Sequence, residues 1–276
     1  MVKINGEWLE MAGRTLADYL ADAGFDSRRV AVERNGEIVP KRLSERPSWR
    51  MGTPWKSWAL WGAADMMPTR EEMHRALQER YGAELQARFD AGRVAVCGLG
   101  GLGSNVAIDL ARAGVGRLHL IDFDRVDLTN LNRQQYTVEQ LGQYKTQALA
   151  ETLRRIAPYC EILTDTVRVT EENLPALLEK DGIVCEAFDR PEAKAMLVSG
   201  VLEHFPDKPL VAASGMAGLG SANTIRTRRA FGRLYLCGDG TSDVSGVLGL
   251  VSARVAVCAA HQAHMILRLL AGETEP

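Results

Sequence analysis

Residues 93–104 read Arg93-Val94-Ala95-Val96-Cys97-Gly98-Leu99-Gly100-Gly101-Leu102-Gly103-Ser104, and this stretch decides the fold. Its apolar run has the character of a strand buried on both faces. It runs straight into glycines, and Gly98, Gly100 and Gly103 satisfy G-x-G-x-x-G before a helical pattern begins. Glycines at a strand-to-helix turn allow a tight bend and close backbone approach, while the helix start offers unpaired N–H groups to phosphate. The next apolar run ends in Asp122, 19 residues after Gly103, where a carboxylate can bond ribose hydroxyls. On these features alone a nicotinamide-dependent oxidoreductase is served equally well, because the glycine motif is common to many nucleotide folds.

Working outward, strands are expected at 94–99, 118–122, 161–167, 183–186, 209–213 and 223–227. Helices are expected over 68–89 and near 104–113, 145–156, 171–180, 191–204 and 252–270. Such alternation implies an α/β, Rossmann-like and mostly parallel sheet with helices on both faces. A chain of 276 residues accommodates that domain and a smaller appendage. A net charge of −2 argues against nucleic acid or a membrane surface as partner. No apolar run reaches membrane-spanning length and no leader-like segment opens the chain, so a cytoplasmic location is the default. The five cysteines are scattered and odd in number, which argues against a disulfide framework. Cys97, Cys185 and Cys258 read as small buried hydrophobes inside apolar runs.

Chemistry separates the two enzyme readings. Residues 122–135, DFDRVDLTNLNRQQ, set three acids, two arginines and several amides just past a strand's carboxyl end, and Lys145 follows at a helix start. Hydride transfer has little use for such a cluster. Nucleotidyl transfer does, because the charge developing on a leaving pyrophosphate is met by Arg, Lys and Mg²⁺. Asp189 sits past another apolar strand, on the same edge of the expected sheet. Arg125, Asp127 and Arg190 fit equally well as solvated loop charges.

The strings GLGGLGS (98–104), IDFDRVDLTNLNRQ (121–134) and GQYK (142–145), with the strand-end Asp189, occur in this order and resemble the ThiF/MoeB group over residues 67–276. These are the bacterial relatives of ubiquitin-activating enzymes. CEAFDRPEAK, ASGMAGLGS and YLCGDGTSD are similar to the shorter ThiF variant, which adenylates the sulfur carrier ThiS in thiamine-thiazole synthesis. The resemblance implies ATP held around Gly98, Gly100, Gly101, Gly103, Asp122, Asp124, Asn130 and Gln134. Asp122 would bond ribose, and Asn130, Arg133 and Lys145 would contact the phosphates. Asp189 would bind Mg²⁺ and help place the carrier's carboxylate. It also implies a homodimer in which an arginine reaches the partner's site, with Arg80 the candidate and Arg75 second. Longer members bind zinc through two C-x-x-C pairs that this chain lacks, so zinc is not expected. Some relatives form a persulfide link through a cysteine; Cys237, read as part of a polar loop, is the cysteine most expected to be exposed. His261 and His264 read as packing or surface residues.

Residues 1–41 resemble the first half of ThiS, an incomplete β-grasp segment: strand positions Val2 and Ile4, a helix over 15–23 capped by Thr15, and a hairpin about Asn35-Gly36. Residues 42–66 hold Trp49, Trp55, Trp58 and Trp61 with no clean period, interrupted by Pro47 and Pro54, and read as an irregular linker. Trp and Met have single codons, so the neighbouring reading frame is partly fixed there. Permitted codons in that frame encode a turn, a β-strand and a Gly-Gly tail, with a stop across Ala64-Asp65. We read the stretch as a frameshifted joining of a ThiS-like and a ThiF-like reading frame, in which 42–66 is out of frame and the enzyme starts at Met66 or Met67.

Overall fold

The computed structural model describes residues 2–4, 7–9, 15–24, 31–34, 37–39, 57–61, 68–241 and 249–276. The chain divides into two units, Met1–Thr69 and Arg70–Pro276.

In the first unit, strands β1 (Val2–Ile4) and β2 (Glu7–Leu9) precede helix α1 (Leu16–Asp22), and β3 (Ala31–Arg34) and β4 (Glu37–Val39) follow it. Thr15 caps α1 through a reciprocal capping box with Asp18, each bond 3.1 Å long. β3 and β4 pair antiparallel with Arg34 opposite Glu37, the register a two-residue turn requires. Asn35 and Gly36 themselves lie outside the described residues. The reading of 42–66 as irregular needs correction at one place. Ser57–Trp61 forms β5, parallel to β1 and antiparallel to β3, at the centre of a five-stranded sheet ordered β2-β1-β5-β3-β4. Both prolines precede this segment, and its two tryptophans favour a pleated surface. The rest of 42–66, including Met66 and Met67, lies outside the described residues.

The second unit starts with α2 (Arg70–Tyr81) and α3 (Ala83–Asp90), where a single helix was expected. Gly82 parts them with φ of +86°, a value that only glycine adopts readily. There follow β6 (Arg93–Cys97), α4 (Gly101–Arg112), β7 (Arg117–Ile121), α5 (Lys145–Ile156), β8 (Glu161–Asp165), α6 (Leu174–Leu178), β9 (Ile183–Glu186), α7 (Pro191–His204) and β10 (Leu210–Ala213). The chain closes with β11 (Arg226–Phe231), β12 (Leu234–Gly238) and α8 (Ser252–Leu270). The seven strands lie in the order β11-β12-β10-β9-β6-β7-β8, parallel except for the β11–β12 hairpin. Sequence reading placed a strand at 223–227 and none at 234–238. The structure has a 3₁₀ turn at Ala222–Thr224, then a charged, exposed edge strand whose lack of apolar alternation hid the hairpin.

Alternation at period two sorts the strand side chains between two cores. Val94, Val96, Leu118, Leu120, Ile183, Cys185, Val211 and Ala213 face one, with residues of α4, α5 and α8. Ala95, Cys97, Ile121, Val184 and Leu210 face the other, with α6 and α7. A strand buried on both faces is therefore an unbroken apolar run, as in RVAVC. Among the described residues no helix is long and apolar enough to cross a membrane.

Candidate nucleotide site

Strands run outward from β6 in two directions, first through β7 and β8, then through β9, β10 and β12. The reversal opens a crevice between the carboxyl ends of β6 and β9, where ligands of open α/β sheets bind. Gly98, with φ of +93°, makes the backbones meet there: a Cβ would stand 2.7 Å from the Ala187 carbonyl oxygen. A Cβ on Gly103 would stand 1.8 Å from the Gly98 oxygen. The glycine spacing thus lets α4 start directly over the end of β6. α4 begins at Gly101, earlier than expected, and no side chain caps it, so its first N–H groups remain for an anion.

Asp122, buried at the end of β7, accepts from the Leu99 N–H at 2.7 Å and the Asp124 N–H at 2.8 Å, tying the glycine loop to the next strand. Burial raises its pKa, against the lowering effect of Lys145 and of those two N–H groups. Lys145 opens α5 and is buried, with its ammonium 3.2 Å from the Asp124 carboxylate. Gln134 is buried beside Gly100, and its Oε1 has no hydrogen-bond partner. Buried acceptors are ordinarily satisfied, so this orphan fits a site shaped for a ligand. Arg133 lies across Gly101 and donates to the Thr129 carbonyl and the Asn132 Oδ1 at 3.0 and 2.8 Å. Burial lowers its pKa and the charge of Asp189 raises it. Asn130 is partly committed: its Oδ1 accepts the Asp127 N–H, closing the turn Leu128–Asn130. Arg125 and Asp127 have structural partners, the Gly142 carbonyl and the Thr129 N–H respectively.

Other expected site residues fall elsewhere. Arg80 and Arg75 are exposed on α2. Tyr81 at the end of α2 bonds the Ala113 carbonyl, just before β7 begins, so this helix lies toward the strands' amino edge, away from the crevice. A cavity of about 240 Å³ opens there, lined by Leu77, Gln86, Val115 and Ile156. Cys237 requires correction. It lies within β12, fully buried, with its thiol pKa pushed by burial up to about 11. An inaccessible, protonated thiol has none of the exposure a persulfide link needs. His261 bonds the Thr227 hydroxyl at 2.9 Å. Among the described residues no group of three or more His, Cys, Asp or Glu could hold a metal. Mg²⁺ commonly takes one or two carboxylates and completes its shell with phosphate oxygens and water, and the exposed Asp189 fits that mode.

Two ion pairs beside the site escaped sequence reading. Glu186 and Lys194 meet at 3.0 Å. Arg254, at the start of α8, meets Asp239 at 2.6 Å and also donates to the Gly220 carbonyl at 2.9 Å. These partners stand eight and fifteen residues apart or more, outside any local spacing rule. Only the choice of Glu or Arg next to apolar runs could have flagged them.

A doubly wound sheet, an uncapped glycine loop and an acid at the end of the second strand define a nucleotide-binding α/β protein. Residues 73–276 match the ThiF family and residues 2–47 the ThiS family; the chain belongs to the ThiF family. It is 36% identical over 126 residues to a sulfur carrier protein adenylyltransferase of Thermus thermophilus, covering 44% of this chain and 46% of that protein. It is 34% identical over 140 residues to a tRNA threonylcarbamoyladenosine dehydratase of Escherichia coli, covering 50% and 52%. Against an adenylyltransferase and sulfurtransferase MOCS3 of Anopheles gambiae it is 32% identical, over 62% of this chain and 42% of the relative. The matches thus span about half the length of these relatives or less. The fold superposes on the E. coli dehydratase solved with ATP at a TM-score of 0.66, with 23% identity over 73% of this chain and 95% of that one.

Proposed function

We propose that the protein uses ATP and Mg²⁺ to adenylate the C-terminal Gly-Gly carboxylate of a ThiS-type sulfur carrier, in the cytoplasm and in the service of thiamine-thiazole synthesis. The observation that carries this reading is the uncapped start of α4 at the glycine loop, with Arg133 lying across Gly101. A carboxylate oxygen of the carrier attacks the α-phosphorus in line. The bond to the bridging oxygen breaks, pyrophosphate leaves with the electron pair, and an acyl-adenylate remains. No side-chain nucleophile is needed, since positioning and charge neutralisation suffice. The N–H groups of α4 and Arg133 hold the phosphates, and Lys145 exchanges its contact with Asp124 for them. Asp122 takes the ribose and the orphaned Gln134 oxygen takes a donor of the nucleotide. Mg²⁺, held by Asp189, would neutralise the pyrophosphate charge. Arg80, remote from the crevice of its own chain, acts at the partner's site in a homodimer.

The ThiS-family match at residues 2–47 and the Thermus relative favour a protein carrier. A second reading, activation of a carboxylate on tRNA, is favoured by the E. coli dehydratase match. ATP–pyrophosphate exchange separates them: a ThiS-type carrier drives it under the first reading, tRNA under the second. Arg133→Ala and Asp189→Ala are expected to abolish exchange without unfolding the protein. Exchange surviving both changes would place the chemistry elsewhere.

A further inference from the structure

Asp189 sits in an exposed connection between β9 and α7, yet its proposed task demands a fixed carboxylate. What holds the connection lies just beneath it. Glu186, at the end of β9, is buried. Its Oε1 accepts the Phe188 N–H at 2.7 Å, inside the connection. The same carboxylate accepts the Lys194 ammonium, from the first turn of α7, at 3.1 and 3.0 Å. Lys194 also donates to the Ala213 carbonyl at 3.1 Å, at the end of β10. Gln262 of α8 donates to the Glu186 carbonyl at 2.9 Å, and the Ala187 N–H reaches the Cys97 carbonyl at 2.8 Å. The Glu186 carboxylate therefore links the Asp189 connection to the first turn of α7, while the adjoining bonds fix the two ends to β6, β10 and α8.

Stability alone is a poor reason for this pair, because a buried ion pair is often no better than apolar side chains of the same volume. Orientation is what it supplies. We propose that Glu186 and Lys194 are positioning residues that hold the Asp189 carboxylate in place for Mg²⁺ and the carrier carboxylate. This rests on the adenylation reading of the site. Neither group touches the reacting atoms; they act through the backbone of residues 187–190.

Hydrogen–deuterium exchange of the full chain, followed by mass spectrometry, reads the brace without any need for activity. In Lys194→Met the peptide spanning residues 185–194 is expected to lose protection, and Lys194→Arg is expected to keep it. In ATP–pyrophosphate exchange, Lys194→Met is expected to need at least roughly ten-fold more Mg²⁺ for half-maximal rate, the scale seen when a partner behind a metal ligand is removed. Lys194→Arg is expected to restore most of that. If Lys194→Met does not fold, Glu186→Gln keeps the shape and the Phe188 bond while removing the charge, and the same rise in Mg²⁺ requirement is expected. Unchanged protection, or an unchanged Mg²⁺ requirement in an active variant, would overturn the inference. Wild-type protein that exchanges with no carrier would sink the adenylation reading instead, while the protection data still decide the brace.

Discussion

Gly103→Ala and Gly100→Ala remove neighbouring glycines of one motif and are expected to fail in different ways. At Gly103 the new Cβ would lie 1.8 Å from the Gly98 carbonyl oxygen. Tolerated contacts of this kind start near 3.0 Å, so about 1.2 Å of backbone movement is required (3.0 − 1.8). The clash is backbone on backbone, and no rotamer relieves it. Overpacking of a core costs about 1–3 kcal/mol. For a unit of this size that is a fall in melting temperature of roughly 2–12 °C. The same shift carries the first N–H groups of α4 away from the phosphates, and a misplacement near 1 Å costs about 100-fold in rate. At Gly100, φ is −74° and the added Cβ meets only the Gln134 amide nitrogen at 3.9 Å, an ordinary contact. Gly100→Ala is expected to melt within about 0.5 kcal/mol of wild type, as substitutions free of strain do. Its loss is confined to ATP affinity, because the methyl group occupies the phosphate's approach. Thermal melts paired with calorimetric titration of ATP read both effects. Gly103→Ala with an unchanged melt and unchanged ATP affinity would refute the reasoning.

Three further outcomes are expected, two from the structure and one from the codons. His119 is buried between Asp181 and Asp165, at 2.9 and 2.8 Å; burial lowers its pKa, but the two carboxylates prevail and raise it above 6.5. Its stabilisation is therefore complete below pH 6.5 and is lost as pH climbs through the raised value, so wild-type melting temperature falls across that window. Asp181→Asn should flatten that slope, and a melting temperature that climbs with pH there would contradict the assignment. Cys237 should resist iodoacetamide in the native protein and react only on unfolding, with Cys237→Ala retaining pyrophosphate exchange; rapid native labelling would count against its burial. Sequencing the gene over codons 49–65 should show, in the neighbouring frame, glycine codons followed by a stop, and their absence would end the frameshift reading.

The buried strands of the second unit were legible because burial on both faces leaves an unbroken apolar run, as in RVAVC and IVCE. The start of α4 was not, because glycines at 101 and 103 look like loop while tertiary contact makes them helical. β12 was missed because its partner β11 is a charged edge, and with it went the burial of Cys237. β5 was hidden by the prolines ahead of it and by tryptophans without period. At the site, the glycines and Asp122 announced themselves by spacing. That Glu186 braces the Asp189 connection depends on strand order, which brings β9 beside β6 across some ninety residues of sequence.

Carrier-dependent ATP–pyrophosphate exchange, run with a ThiS-type carrier intact and with its last two glycines removed, tests the central claim most directly. Rapid exchange with the intact carrier, none with the shortened one and none with tRNA is the predicted result. Exchange that persists without the Gly-Gly end, or that only tRNA supports, would contradict it.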